Sequence, residues 1–387
     1  MLDGRTTKDH VIERVLFNIG RTLIVLSVFF IFFLSVVTIG DAMKQLSEGK
    51  GRELIKTVHN PIVGLFVGLL VTSLIHSSAA TVSIVVTLVA GGTLELAYAV
   101  PIVMGAEIGT TVTNTMVSLT QMGRKEEFRR AMSGAMVHDM FNVLTVLCLF
   151  PLELATHFIQ YTATKMAEVI QSLGGLNWGG LKKAFMPLAD ACLDAGKSVF
   201  PDPWSYIVVA VLAVVVLCMA LFVIVRIMRR LAEGRFETLF DKYVGKYPYR
   251  ALFLGAVMTA VIQSSSVVTS TIVPIVGAGV LTLEQIYPVV LGANIGTTAT
   301  AVLIALALTV AGKPPVGLAI ALVHTICHTL GVIIWFVIPG TKRVPISMAK
   351  YMGGVVTKRR FYAVVFTGTV FYLVPMLIIL LYGLLRR

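Results

Sequence analysis

The sequence predicts an all-α polytopic membrane protein of two inverted repeats, each with a re-entrant helical hairpin. Three observations predict it. Apolar runs long enough to cross a bilayer recur along the chain, two longer runs are broken by small polar residues, and the two broken runs are copies of each other. Of the 387 residues, 57% are hydrophobic and 13% charged, against about 25% charged in soluble chains; mean hydropathy is +0.88. These values exclude a soluble enzyme, a coiled coil, a disordered chain and a nucleic-acid binder.

Crossing helices are expected at 20–40, 96–119, 131–154, 204–228, 286–311, 315–338 and 361–385, since about 20 apolar residues span a hydrocarbon core of ~30 Å. The first run is too long for a signal-peptide core and is expected to stay in the membrane. Stretches 61–91 and 250–280 would each measure about 46 Å as one helix. They are interrupted at His76-Ser77-Ser78 and Gln263-Ser264-Ser265-Ser266. Two half-helices entering and leaving on one side fit them, because non-helical backbone at that depth survives only buried in protein or lining a wet cavity.

A shift of 187 residues lays Leu65–Thr113 on Leu252–Thr300 without a gap, matching Ser77-Ser78 to Ser264-Ser265, Pro101 to Pro288 and Ile108-Gly109-Thr110-Thr111 to Ile295-Gly296-Thr297-Thr298. Val137-His138 pairs with Val323-His324 once one residue is dropped. Three crossings separate the hairpins, so the second is expected to enter from the opposite face. The organisation read from this is an N-terminal segment with the first crossing (1–60), repeat 1 (61–154), an external loop, linking helix and basic segment (155–249), repeat 2 (250–338) and a basic segment with a last helix (339–387). Segments 121–130, 226–250 and 339–360 are basic and read as cytoplasmic, and the net charge of +12 reads as positive-inside topology. Arg226, Arg229 and Arg230 need only that explanation. The 156–203 loop balances its charges and is expected outside without a further span. The four cysteines show no ligand spacing and read as small hydrophobes.

The chemistry is expected at the tips. The first N–H groups of a helix lack internal partners and its dipole favours an anion, so two converging tips would cradle an oxyanion such as phosphate. Neighbouring hydroxyl and carbonyl oxygens suit a hard cation such as sodium. Thr110, Thr111 and Thr113, with Thr297, Thr298 and Thr300, add hydroxyls in the same layer. Gly105, Gly109, Gly292 and Gly296 allow close helix approach. Glu107 and Asp139 are ionisable groups within spans, each able to neutralise a cation; pairing of Asp139 with His138 is the plain alternative. His324 and His328 stand four apart as metal ligands would, but no third ligand is evident, so no metal besides sodium is expected. No nucleophile–base constellation, Gly-x-Ser-x-Gly elbow or P-loop is present, which argues against an enzyme and for coupling to an ion gradient.

Gln263-Ser264-Ser265-Ser266-Val267, the run Gly292-Ala293-Asn294-Ile295-Gly296-Thr297-Thr298, and Glu127-Phe128-Arg129-Arg130-Ala131 leading to Val137-His138-Asp139-Met140-Phe141-Asn142 resemble the type II sodium–phosphate cotransporter family, with a bacterial member expected. The resemblance runs from about Pro61 to His328. It implies sodium-driven uptake of inorganic phosphate by alternating access, in a multi-pass protein of the cell membrane. By that similarity Gln263, Ser264 and Ser266 with Thr297 and Thr300 form a sodium site, with Thr110, Thr113 and Asp139 as further sodium candidates. Ser77, Ser78, Ser264 and Ser265 face phosphate. An acid at Asp139 is the mark of electrogenic members. The departures are His76 for Gln and Ala79-Ala80 for hydroxyl residues. Glu107 stands where the second copy keeps Asn294, and Cys327-His328 where a Phe-Asn would be expected. His76 or Glu107 is expected to make transport pH-dependent. The implied partners are phosphate, Na+ and the lipid bilayer, with no nucleic acid and no cofactor beyond the coupling ions; a homodimer is left open. Transport of another oxyanion or a carboxylate is the alternative, and an uncoupled anion channel the alternative of a different class.

Overall fold

The computed structural model describes residues 7–48, 60–172, 179–232, 243–310 and 315–385, which are helical with short connections and contain no strand. Among them, seven helices are long and apolar enough to cross a membrane. The seven coincide with the expected crossings. They comprise α1 (Thr7–Glu48), α4 with α5 (Leu96–Thr110, Val112–Leu119), α6 (Lys125–Thr156) and α9 (Trp204–Ala232), then α12 (Leu283–Val310), α13 (Val316–Val332) with a π-helical turn at Ile333–Val337, and α15 (Arg360–Gly368) continuing through a second π-turn into α16 (Val374–Leu385). Large apolar side chains such as Leu212, Met219, Leu380 and Leu384 are exposed on these helices, as a lipid-facing surface requires. The chain is a polytopic all-α membrane protein.

Both polar-interrupted stretches form a helix, a break and a second helix. In the first, α2 (Pro61–Ile75) has Pro61 in its first turn, and the Asn60 side chain accepts from the N–H groups of Ile62 (2.9 Å) and Val63 (3.2 Å). It stops at His76, which takes the left-handed conformation (φ 58°) and donates its N–H to Thr72 O. Ser77 is extended and caps α3 (Ser78–Ala90), its Oγ accepting from Ala80 N at 3.1 Å. In the second, α10 (Pro248–Ile262) stops at Gln263 (φ 62°), and Ser264 caps α11 (Ser265–Gly277) by accepting from Val267 N at 3.4 Å. The break residue, the capping serine and both helix lengths occupy matched positions 187 apart. Each break therefore carries its own C-cap and N-cap, which supply partners for backbone groups that a helix end leaves open.

The first arm of each pair lies against the crossing helix that follows, α2 on α4 and α10 on α12. The approach is so close that a Cβ on Gly105 would collide with Leu65 O, and one on Gly68 with Ile102 O. In the second pair the same collisions await Gly292 with Leu252 O and Gly255 with Val289 O. Two apolar cores result, and each mixes the halves. One packs Val82–Ala90 and Val100–Ala106 against Ala301–Leu308 and Leu318–Cys327; the other packs Phe128–Phe141 against Ala251–Ala293.

The structure adds two details to the expectations. The 156–203 loop folds for the most part as two amphipathic helices, α7 (Phe158–Ser172) and α8 (Gly179–Val199). Buried Ile159, Ala163 and Ala167 recur at helical spacing, and neither α7 nor α8 is among the seven helices apolar enough to cross a membrane. The 96–119 crossing is divided at Thr111, whereas its counterpart α12 is continuous. The basic 339–360 segment contains α14 (Arg343–Val356), packed on α6; the 233–242 part of the other basic segment lies outside the described residues.

Replacing Gly105 or Gly292 by Ala should force its helix pair apart and lower stability by about 1–3 kcal/mol, as overpacking does. Gly354→Ala, where a Cβ would meet nothing within 4 Å, should leave the melting temperature in detergent unchanged or raise it.

Candidate functional site

The two breaks open on one cavity. A volume of about 660 Å³ is lined by His76, Ser77, Ala79, Ala80 and Thr113 from the first half and by Gln263, Ser264, Ser266, Val267 and Ser270 from the second, and is closed laterally by α9 through Cys218, Leu221, Phe222, Val225 and Arg226. The N-termini of α3 and α11 thus face the same space. In each, the serine cap occupies the third helical N–H, leaving the first two without an intrahelical partner. Arg226 is the one charged residue lining the cavity among the described residues, so the site is positive at one wall and rich in donors at two others.

The left-handed residues project into this site and are held by matched partners. Thr300 Oγ1 donates to Gln263 Oε1 at 2.6 Å, and Gln263 Nε2 donates to Ala260 O. His76 Nδ1 lies 3.3 Å from Thr113 Oγ1, the corresponding pair in the first half. The amide oxygen beside two serines and a threonine is an oxygen-rich pocket; the histidine puts a nitrogen in its place.

Beneath the cavity runs a buried chain of side-chain hydrogen bonds. Thr269 Oγ1 donates to Asn114 Oδ1 (2.9 Å), and Asn114 Nδ2 donates to His138 Nδ1 (2.9 Å). His138 Nε2 donates to Asn294 Oδ1 (2.7 Å), and Asn294 Nδ2 to Asn142 Oδ1 (2.8 Å). Asn142 Nδ2 ends the chain on the main-chain oxygen of Glu107 (2.8 Å). This one assignment of donors and acceptors satisfies every partner and makes His138 a neutral imidazole protonated at Nε2. The chain joins α11, α5, α6, α12 and α4, and so both halves. Asp139 does not pair with His138. Its Oδ2 accepts from Thr115 Oγ1 at 3.3 Å, while Oδ1 is buried without a hydrogen bond.

Of the residues singled out from sequence, Ser77, Ser264, Ser266, Gln263, His76 and Thr113 line the cavity, and Thr300 stands behind Gln263. Ser78 and Ser265 are buried outside the lining. Thr110 and Thr297 donate to the carbonyls of Ala106 and Ala293 in their own helices and do not reach the cavity. Asn294 belongs to the hydrogen-bond chain. Glu107 lies apart from the cavity, in contact with His324 and His328; the histidine pair therefore has a third ligand-type neighbour, correcting the reading from spacing alone. Sequence reasoning missed Arg226, Asn114, Thr115 and Thr269. Arg226 lay hidden in a basic helix end. Asn114 was detectable, since the matched position in the second copy is Ala301.

Crossing helices and paired broken helices whose tips share one cavity define a polytopic membrane protein with a solute-sized space between its two halves. The comparisons with known proteins make this specific. The chain belongs to the Na+/Pi-cotransporter family, whose pattern matches residues 31–179 and 216–358. It is 33% identical to sodium-dependent phosphate transport protein 2A of Ovis aries, over 97% of this chain and 70% of that protein. It is 34% identical to the 2A protein of Rattus norvegicus, with 92% and 66% covered, and 32% identical to the 2B protein of Homo sapiens, with 93% and 65% covered. The chain thus spans just under two thirds of the length of several of these relatives. No solved structure matches it.

His138→Leu should leave the Asn114 donor and the Asn294 acceptor buried and unpaired, at about 1–3 kcal/mol each. A drop in melting temperature well beyond that of the exposed His157→Leu is expected in the purified protein.

Proposed function

We propose that the chain imports inorganic phosphate coupled to sodium, by alternating access around the cavity between the two tips. The observation that carries this reading is the shared cavity itself: two helix N-termini and one arginine face a single space from three helices. Phosphate in that space would accept hydrogen bonds from the open N–H groups of α3 and α11 and from the hydroxyls of Ser77 and Ser264. The Arg226 guanidinium would supply the neutralising charge and a planar pair of donors. Sodium, a hard cation served by oxygens, would sit at Gln263, Ser264 and Ser266 with Thr300 behind them. His76 makes the first-half counterpart a poorer sodium site, because a ring nitrogen stands where the second half has an amide oxygen. Asp139, with an unpaired buried oxygen, would carry a further sodium with Thr115 beside it, so that net positive charge moves with phosphate. Inverted insertion of the two copies, with each broken pair entering as a re-entrant hairpin, would let them exchange roles as the cavity opens to either side. The apolar α9 wall of Leu221, Phe222 and Val225 favours one second reading, a carboxylate substrate with an apolar tail.

Radiolabelled phosphate uptake into proteoliposomes tests the proposal. Uphill accumulation should require an inward sodium gradient and vanish with Gln263→Ala; flux indifferent to sodium, or preferential competition by a carboxylate over sulfate or arsenate, would overturn it. Arg226→Ala should raise the KM for phosphate about tenfold, a loss of about 1.4 kcal/mol, with sodium dependence retained and partial recovery in Arg226→Lys. Asp139→Gly should keep uptake and abolish the transport current. His76→Gln, which installs the residue of the second tip, should remove any difference in uptake that the parent chain shows between about pH 5.5 and 8.5.

A further inference from the structure

Glu107 on α4 and His324 and His328 on α13 form a cluster separate from the cavity. The histidines are one turn apart on the same face. The three residues are 5%, 0% and 2% exposed. Glu107 Oε1 lies 2.7 Å from His324 Nε2 and Oε2 lies 2.6 Å from His328 Nε2, with the two rings 5.0 Å apart. One ligand atom from each falls within 4.8 Å of the others.

The second copy repeats this arrangement with different chemistry. The position matched to Glu107 is Asn294, which bridges His138 and Asn142 as Glu107 bridges His324 and His328. In the Asn294 cluster the amide donates to Asn142 Oδ1 and accepts from His138 Nε2. In the Glu107 cluster, Glu107 Oε1, both ring nitrogens of His324 and Nε2 of His328 have no aligned hydrogen bond despite their short separations. Two exchanges, amide to carboxylate and asparagine to histidine, have replaced a matched set of donors and acceptors by a carboxylate and two imidazoles, three groups of metal-ligand type facing one another. Among the described residues Glu107 contacts no lysine or arginine, and a buried carboxylate requires a cation. The donor set of two imidazoles four apart and one carboxylate from another helix is that of zinc-class ions, not of an alkali ion. A void of about 10 Å³ borders Glu107 and His328, and also Asn142, Thr145 and Cys327, giving room for one water-sized ligand at a fourth position. The hydrogen bond from Asn142 to the main-chain oxygen of Glu107 fixes the carboxylate's helix against α6.

We infer that Glu107, His324 and His328 bind one divalent transition-metal ion, with Zn2+ as the chemical type, and thereby tie α4 of the first half to α13 of the second. At metal–ligand lengths of about 2.0–2.2 Å the ligand atoms would stand about 3.4 Å apart. A turn of the carboxylate about its soft terminal torsion supplies the opening.

The test uses the full chain purified in detergent, stripped with chelator and titrated with Co2+ and then Zn2+. One Co2+ per chain is expected, with the intense visible bands of a four-coordinate nitrogen–oxygen site, displaced by one Zn2+ that also raises the melting temperature. The double variant Glu107→Asn/His328→Asn recreates the arrangement already present around Asn294, so it should fold, and should bind either ion more than about 100-fold more weakly. Absence of stoichiometric metal on the parent chain, or equal binding by the double variant, overturns the inference and leaves the cluster a buried ion pair.

Discussion

A membrane interior offers a broken helix no water for the backbone groups it frees, and the rest of this structure depends on how that constraint is met. Each break is closed from within by a left-handed residue whose N–H returns to the helix it ends, followed by a serine that caps the next. A non-glycine residue in that conformation is unfavourable by roughly 1–2 kcal/mol. His76 and Gln263 accept it because their side chains reach the threonines of the following crossing helix. That reach in turn requires α2 on α4 and α10 on α12 at backbone contact, which glycines alone permit.

The same closeness determines what lies under the cavity. With the arms pressed on their crossing helices, α6 runs between the halves and presents His138 and Asn142 to both. The partners of His138 and Asn142 are amides and a main-chain carbonyl, while the buried carboxylates of Asp139 and Glu107 stand outside this chain of hydrogen bonds. Neither carboxylate lines the cavity among the described residues, so a small anion there meets one arginine and no acidic side chain in the wall.

Much of this was legible in the sequence because helix breaks are local chemistry. Small polar residues within an apolar run located both interruptions, and the 187-residue repeat matched their parts before any geometry was known. Contacts that depend on how distant helices cross were not legible. Nothing in the spacing of His324 and His328 points to Glu107, since only the packing of α13 on α4 brings them together. Arg226 was absorbed by an adequate topological explanation, and its place in the cavity wall follows from the angle at which α9 passes the tips. The absence of a span across α7 and α8 was legible in their composition, and Ile159, Ala163 and Ala167 carry the helical spacing of α7.

The chemical difference between Asn294 and Glu107 bears on the balance of conformations. Two identical halves inserted in opposite senses would give outward-open and inward-open forms of equal free energy, because exchanging the halves would exchange the forms. In such a pair of halves, a carboxylate with two imidazoles at one cluster and an amide with imidazole and amide at the other would remove that degeneracy. Strain or hydration at one cluster has no equal at its counterpart, and a difference of about 1.4 kcal/mol is enough to hold the resting population ten to one in favour of a single orientation.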